Sequence, residues 1–363
     1  MRRSNLFWNR LLAVVVTIVL SLAGFLLIPA PDGSSQFTAL RTIGARIAQA
    51  NPDAVRPESA RQQLSDASTC QTFGAETGFG IIGDSTSDEY RADDARGGTF
   101  AATTLNWVEI LAARRGVNFG PWGTWGEPRR GGYEYNWSRS GATTDDMISG
   151  GFHSGLAQQV ADGKVSHVLV QIGVNDFQMC CGAYADIYNG TLSGARLETW
   201  IDQKVSNVTI AIDTVRLAGP VKVALTNIPD VGLSPDIIGS HPEPAKRQRV
   251  TDAINRMNGK LARLAADRGI AYLDMFSYAH RLLDSIVSTG SLRVDTVEIG
   301  FRRKSNDPHA MRLDDTVGHA GTVMSGIYAN EFGIRPMREA FGLCIEPLTE
   351  REILESAGLV ART

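Results

Sequence analysis

The sequence predicts an α/β fold in which a parallel β-sheet is covered by helices on both faces, a three-layer α/β/α sandwich. Short apolar runs that alternate with helical segments support this fold class. The runs indicate buried strands at residues 80–82, 168–172, 221–225 and 270–273, with one more strand at 133–137. In such sheets the active site lies beyond the carboxyl ends of the strands, so the residues that follow each strand are the candidates for catalysis.

The helical segments are marked by apolar side chains spaced three and four residues apart. The clearest one ends at Gly269, a C-terminal stop, and carries Val250, Ile254, Met257, Leu261 and Leu264. Further segments are predicted at 105–116 and 323–341. A capping box at 349–352 predicts a last short helix in a C-terminal tail, residues 346–363.

Composition narrows the possible functions. The 363-residue chain carries 36 Lys and Arg against 39 Asp and Glu, a net charge of −3, so no basic field favours nucleic acid as a partner. A hydrophobic fraction of 43% is typical of a globular chain. No H-E-x-x-H or paired C-x-x-C pattern occurs, and the G-x-G-x-x-G at 78–83 contains a strand instead of following one. Neither a metal nor a dinucleotide cofactor is therefore predicted.

The N-terminus predicts export. A positively charged start precedes an uncharged apolar segment, residues 11–31, and its charges are Arg2, Arg3 and Arg10. This pattern is typical of a signal peptide or of an uncleaved membrane anchor, and about 20 apolar residues suffice to span a bilayer. We expect an extracytoplasmic protein, secreted or held at the membrane by residues 1–31, with a spacer of short helical pieces at residues 32–75.

The cysteines are available for disulfide bonds in the oxidising environment that export implies. The four are Cys70, Cys180, Cys181 and Cys344, which allow three pairings. Pairing Cys70 with Cys344 would join the two ends of the domain. The sequence leaves the three pairings open.

A serine follows the first predicted strand, in Gly83-Asp84-Ser85. We expect Ser85 to stand at the N-terminus of a helix, with backbone N–H groups free to face a negatively charged oxygen. The alternative is a helix-capping serine without a chemical role. No G-x-S-x-G motif occurs, so the nucleophile turn of the α/β-hydrolases is absent.

Two more candidates follow predicted strands. Gly141 comes after strand 133–137, where it would let the backbone approach a substrate closely, and a simple turn glycine is the alternative. Asn175 comes after strand 168–172. Its side chain could donate an N–H to developing negative charge, and turn formation is the alternative role.

A histidine that could act as a general base precedes the last helical segment. His319 follows two carboxylates, Asp314 and Asp315, either of which could orient the imidazole. A surface-loop histidine is the alternative interpretation, and Asp307-Pro308-His309 offers a second Asp/His pair. We prefer His319 because the residues after it should start a helix.

Taken together and in this order, Gly-Asp-Ser, a single glycine, Gly-x-Asn-Asp and Asp…His resemble the SGNH (GDSL) hydrolase family. The resemblance covers residues 76–342, within a hydrolase domain that we place at 76–345, and includes the segments 226–232 and 319–330. It implies a mainly parallel, flavodoxin-like five-stranded sheet and a serine esterase that needs no metal or cofactor.

The resemblance also implies a role for each candidate. These are Ser85 as nucleophile, His319 as the base, and an oxyanion hole made by the backbone N–H groups of Ser85 and Gly141 and the side chain of Asn175. The family's last motif places Asp three residues before His, where this chain has Thr316. We choose Asp315 as the orienting carboxylate, with Asp314 as the alternative.

The substrate is the least determined feature. Residues 120–137 are rich in Trp, Tyr and Gly, and exposed rings there could stack on a sugar, although packing on the sheet is the simpler interpretation. Small-molecule or glycan esters with acetyl or other short acyl chains are the expected substrates, and lipid esters are the alternative. The same serine could instead transfer an acyl group to a sugar. A non-catalytic binding module on this fold would be expected to lack part of the constellation.

Overall fold

The computed structural model describes residues 70–361, apart from 73, 75, 93–95 and 287–288. The predicted signal or anchor at 1–31 and the predicted spacer up to residue 69 lie outside the described residues. Within the described part, we find no helix that is both long and apolar enough to cross a membrane.

The central sheet has five strands, all parallel. They are β1 (Phe79–Gly83), β2 (Asn136–Ser138), β3 (His167–Gln171), β4 (Lys222–Thr226) and β5 (Ala271–Leu273). Their spatial order is β2-β1-β3-β4-β5, the flavodoxin-like order. The order of strands reverses at β1, so the crevice beyond the ends of β1 and its neighbours is where a site is expected.

Helices cover the sheet and connect its strands. They are α1 (Trp107–Arg115), α2 (Thr144–Ser149), α3 (Phe152–Ala161), α4 (Tyr184–Asn189), α5 (Gly194–Ala218), α6 (Pro235–Ser240), α7 (Pro244–Arg268), α8 (Met275–Ile286), α9 (Thr322–Tyr328), α10 (Arg335–Glu339) and α11 (Glu350–Ser356). A π-helical turn, Ala329–Ile334, links α9 to α10. The predicted helix stop is confirmed, because α7 ends at Gly269 in the left-handed conformation.

The two faces of the sheet bury separate apolar clusters because successive strand side chains alternate in direction. Ile82 packs with α3, α5 and α7 on one face. Ile81 packs with α1, α8 and α9 on the other, and the C-terminal helix α11 adds Ile353 and Leu354 to this second cluster. The predicted three-layer α/β/α architecture is therefore confirmed.

Two predicted elements differ from the structure. The strand expected at 133–137 is split, because Gly131–Tyr133 pairs with Trp122–Thr124 in a separate hairpin and β2 begins only at Asn136. The helix expected directly after β1 is replaced by a turn at residues 84–88.

Both disulfide bonds join cysteines that the sequence left unassigned. Cys70 is bonded to Cys344, with their Cα atoms 5.2 Å apart, beside the parallel pairing of Gln71–Thr72 with Leu343–Cys344. Cys180 is bonded to its neighbour Cys181. The first bond ties the start of the described chain to the end of the domain.

Candidate active site

Ser85 lies in a tight turn at the carboxyl end of β1. The N–H groups of Ser87 and Asp88 both donate to the carbonyl of Asp84, at 3.0 Å each. The expectation of a helix N-terminus at Ser85 is therefore wrong.

Side chains of α1 and its cap explain why no helix continues from this turn. The Asn106 amide donates to the Asp88 carbonyl at 2.7 Å, and the Glu109 carboxylate accepts the N–H of Tyr90 at 3.1 Å. Both of these side chains are buried. They satisfy backbone groups that a helix would otherwise pair within itself.

The buried Asp84 side chain stabilises the turn. Its carboxylate accepts the N–H of Thr86 at 2.9 Å, and the side chain is buried. Burial raises the pKa of Asp84 to about 6, although the hydrogen bonds with Thr86 act in the opposite direction. The residue before the candidate nucleophile is thus a positioning group within the turn.

Gly141 lies in the loop after β2, and Asp88 holds that loop against the Ser85 turn. The Asp88 carboxylate accepts both the N–H and the hydroxyl of Ser140, each at 2.7 Å. Gly141 itself has a φ of 82°, a left-handed conformation that favours glycine. A Cβ there would contact nothing within 4 Å, so the backbone conformation and not a steric limit accounts for the glycine.

Asn175 lies in a short 3-10 turn, Asn175–Phe177, directly after β3. The side chain is buried and donates one of its two amide hydrogens to the Ala142 carbonyl at 2.9 Å. That bond leaves the second hydrogen for a ligand. Its neighbour Asp176 accepts the N–H and the hydroxyl of Thr144, both at 3.0 Å, so three bonds join the residues after β2 to those after β3.

His319 contacts Asp315 in the turn that precedes α9. Nδ1 of the imidazole lies 2.7 Å from Oδ2 of Asp315, while Oδ1 of the same carboxylate accepts the N–H groups of Gly318 (2.8 Å) and His319 (3.1 Å). The extra residue in this turn, relative to the family motif, is accommodated by those two backbone bonds. Asp315 therefore lies where an orienting carboxylate is needed.

The charge on Asp315 determines which imidazole nitrogen carries hydrogen. Burial raises the pKa of this carboxyl, but the hydrogen bonds and charge of His319 outweigh burial and hold the pKa at about 2. The Arg96 guanidinium, 3.9 Å away, acts in the same direction. An ionised carboxylate only accepts, so Nδ1 of His319 carries a hydrogen and donates it to Asp315, and Nε2 is the remaining ring nitrogen.

Nε2 is the ring nitrogen of His319 that does not contact Asp315. It is buried and has no hydrogen-bond partner among the described residues. Ser85, Asn175 and His319 all line the same two cavities, one of about 270 Å³ and one of about 550 Å³. Gly141 and Asp315 line the larger one.

The structure therefore brings all five predicted site residues to one crevice. Within the described residues, the Ser85 hydroxyl and His319 Nε2 are not hydrogen bonded to each other. Such bonds are often long before a substrate binds.

The competing acid and base candidates are not placed like Asp315 and His319. Asp314 is exposed, and its N–H donates to the Asn306 side chain. His309 contacts Asp307 at 2.9 Å, but both side chains are more than half exposed and line neither cavity next to Ser85. That pair is a surface feature.

The aromatic segment 120–137 mostly packs against the protein. Tyr135 is buried, and Trp137 donates to the Gln159 side chain at 3.0 Å and lies under the Arg129 guanidinium. Trp122 is 45% exposed and, with Trp125, lines a separate surface cavity of about 390 Å³. Neither tryptophan lines the cavities at Ser85.

Some residues at the site were not predicted from the sequence. Arg96 lines the larger cavity and donates to the Ser140 hydroxyl at 3.0 Å, so it contacts both the Gly141 loop and the Asp315 turn. Helix α8 lines the smaller cavity. The helical spacing of its apolar residues is visible in the sequence, but the surface against which these residues pack depends on the tertiary structure.

A disulfide lies beside the larger cavity. Cys180 lines the rim of the larger cavity in its bond to Cys181. Within the part of the chain that the structure describes, no cluster of three or more His, Cys, Asp or Glu side chains is placed to hold a metal ion.

Comparison with known proteins decides the family. Residues 81–290 match the sequence profile of the GDSL-like lipase/acylhydrolase family. The chain belongs to this family. The protein is accordingly a GDSL-type carboxylic ester hydrolase, as the sequence predicted. A search of curated protein sequences gives no match.

Solved structures similar to this chain include a lipase and a mutant of an acetylxylan esterase. An extracellular lipase from Streptomyces rimosus is 20% identical, with 55% of this chain and 81% of that chain covered and a TM-score of 0.37. A catalytic mutant of Axe2, an acetylxylan esterase from Geobacillus stearothermophilus, is 15% identical, with 74% and 96% covered and a TM-score of 0.40. The family assignment rests on the sequence match and not on these similarities.

Proposed function

We propose that this GDSL-type hydrolase cleaves carboxylic esters through Ser85, His319 and Asp315. The observation that carries the proposal is the buried, unpartnered Nε2 of His319. His319 lines cavities shared with Ser85, while its Nδ1 is held by an ionised Asp315.

The first half of the reaction acylates Ser85. Nε2 of His319 takes the hydroxyl proton as Oγ attacks the ester carbonyl carbon, and the carbonyl π electrons move onto its oxygen. The N–H groups of Ser85 and Gly141 and the second amide hydrogen of Asn175 stabilise that oxyanion. When the intermediate collapses, the C–O bond to the alcohol breaks and His319 returns the proton to the leaving alcohol.

The second half restores the serine. Water attacks the acyl carbon, His319 takes a proton from it, and the bond to Ser85 Oγ breaks with return of that proton to the serine. Asp315 stays ionised throughout and stabilises the imidazolium.

A panel of p-nitrophenyl esters and acetylated glycans, assayed with wild type and Ser85→Ala, tests the proposal. We expect Ser85→Ala to lose about 10⁴- to 10⁶-fold in kcat. Ser240→Ala, which removes an exposed hydroxyl at the end of α6, is the matched control and should match wild type. Equal rates for wild type and Ser85→Ala would remove the esterase mechanism.

Acyl transfer is the second candidate, and the larger cavity supports it. Arg96, Asn306 and Asp314 line this cavity and offer hydrogen-bonding groups to a hydroxylated acceptor. An alcohol in place of water would give a new ester from the same acyl-enzyme. Measuring free acid against new ester, with an activated acetate and oligosaccharide acceptors, separates the two activities. Free acid as the sole product would exclude transfer.

Export is part of the same proposal. The charged start and the apolar segment 11–31 support it, as do the bonds Cys70–Cys344 and Cys180–Cys181, because disulfides persist in oxidising compartments. We expect the native protein outside the cytoplasm, without free thiols until it is reduced. Cell fractionation with thiol titration tests this, and cytoplasmic protein with four free thiols would contradict it.

A further inference from the structure

The smaller cavity beside Ser85 and His319 has a largely apolar wall. It holds about 270 Å³ and reaches from the catalytic side chains to helix α8. The titratable side chains of its lining are Tyr90, Arg312, His319 and Tyr328, and Arg312 is paired with Asp236 at 3.1 Å. A pocket of this lining favours an apolar group over a solvated one.

Helix α8 supplies this wall with one continuous stripe. Its lining residues follow the i, i+4, i+7, i+8, i+11 spacing of a single helix face, and they are Met275, Ala279, Leu282, Leu283 and Ile286. Phe301 and Met311 add to the apolar lining. Ala279 is the small residue of the stripe, so space next to it is open to a ligand.

The larger cavity, which Ser85 also lines, has a different lining. It includes charged and hydrogen-bonding side chains, among them Arg96, Asn306, Asp314 and Thr316, beside the apolar Leu313 and Val317. Ser85 thus lines both an apolar cavity and a cavity that is richer in polar side chains. An ester bound across Ser85 would place one of its two halves in each cavity.

The order of the reaction steps indicates which cavity binds the acyl half of the ester and which binds the alcohol half. The acyl group stays on Ser85 through both steps, whereas the alcohol must leave and be replaced by water. The polar cavity suits that exchange, and the apolar cavity suits the group that remains.

We infer that the natural substrates join an apolar acyl chain longer than acetyl to a polar, hydroxylated alcohol, and that α8 is the acyl-binding wall. This inference rests on the proposed Ser85 mechanism and names its substrate class.

Hydrolysis of p-nitrophenyl esters from acetate to octanoate by wild-type protein tests the inference first. Each methylene buried against α8 should raise kcat/KM by about fourfold, which gives about 250-fold for the four methylenes from acetate to hexanoate. Acetate esters of ethanol to hexanol form the second series, and here we expect little dependence on chain length. Highest activity on acetate, or chain-length dependence in the alcohol series instead, would overturn the inference.

Ala279→Phe then tests the position of the chain. Filling the space beside α8 should lower the octanoate-to-acetate ratio of kcat/KM at least tenfold. Ser285→Phe, an exposed position on the same helix outside the cavity lining, is the matched control and should keep the wild-type ratio. An unchanged ratio in Ala279→Phe would overturn the assignment, and the wild-type series remains decisive if this variant does not fold.

Ser85→Ala separates this inference from the mechanism. Loss of all hydrolysis in Ser85→Ala together with a flat acyl-chain profile in wild type would reject the acyl pocket alone. Hydrolysis that survives in Ser85→Ala would reject the mechanism itself.

Discussion

Two His/Asp pairs in this molecule have nearly the same geometry and very different surroundings. His319 lies 2.7 Å from Asp315, and His309 lies 2.9 Å from Asp307. The His319 side chain is 15% exposed and that of His309 is 58% exposed. His319 lines the cavities that Ser85 also lines and its second ring nitrogen is buried, whereas His309 lines a surface cavity without Ser85. Contact with a carboxylate alone therefore does not indicate a catalytic base. Burial and a cavity shared with Ser85 distinguish the two pairs.

Replacing each histidine gives the largest expected contrast. His319→Ala should lower kcat by about 10⁶-fold, because the proton acceptor of Ser85 is lost. His309→Ala should stay within about twofold of wild type, since surface substitutions away from a site have small effects. Steady-state hydrolysis of a p-nitrophenyl ester measures both. Near-wild-type turnover in His319→Ala would transfer the role of base to another residue.

Replacing the carboxylates should give the next largest contrast. Asp315→Asn should lower kcat by about 10⁴-fold, because an amide no longer fixes the hydrogen on Nδ1. Asp307→Asn is the matched control, with wild-type activity expected in the same assay. Equal activity of the two variants would show that Asp315 contributes no more to catalysis than Asp307.

Asn175→Ala tests the proposed oxyanion hole, which lies in the crevice of His319 and not beside His309. Removing one donor should lower kcat by about 10²- to 10³-fold with a smaller change in KM. Asn306→Ala, in the polar cavity but outside the proposed hole, should change kcat much less. If Asn175→Ala raises KM alone, Asn175 binds substrate and does not stabilise the transition state.

Acid stability gives the smallest expected contrast. The pKa of Asp315 is held at about 2, below its ordinary 3.8, because its bonds with His319 outweigh burial. The ionised carboxylate therefore stabilises the fold above about pH 4, and this contribution disappears as pH falls towards 2. The gap in Tm between wild type and Asp315→Asn should narrow from pH 5 to pH 2. A constant gap would contradict the assigned ionisation.

Much of the fold could be predicted from the sequence because the patterns that mark strands and helices depend on residues close together in the chain. The buried strands gave continuous apolar runs, and α7 gave a helical stripe with Gly269 after it. The strand at 133–137 was misjudged because Tyr133 has a different partner: it pairs with Trp122 in a hairpin. Strand pairing depends on distant residues, which periodicity does not report.

The site was predictable to the extent that its residues follow strands. Ser85, Gly141 and Asn175 all lie at strand ends. The turn at Ser85 was missed because Asn106 and Glu109, about twenty residues later, bind its backbone. The cavity wall formed by α8 was not predicted for a similar reason, since an apolar helix face does not indicate which part of the protein it packs against.

Covalent trapping of the nucleophile tests the central claim most directly. A fluorophosphonate reacts with a serine only where a base and an oxyanion hole activate it, so its site of attachment can be read by mass spectrometry of peptides. We predict one adduct per chain, on the peptide that carries Ser85, with loss of esterase activity in proportion to labelling and no adduct in His319→Ala. An adduct on another residue, or full esterase activity in the labelled protein, would contradict the account.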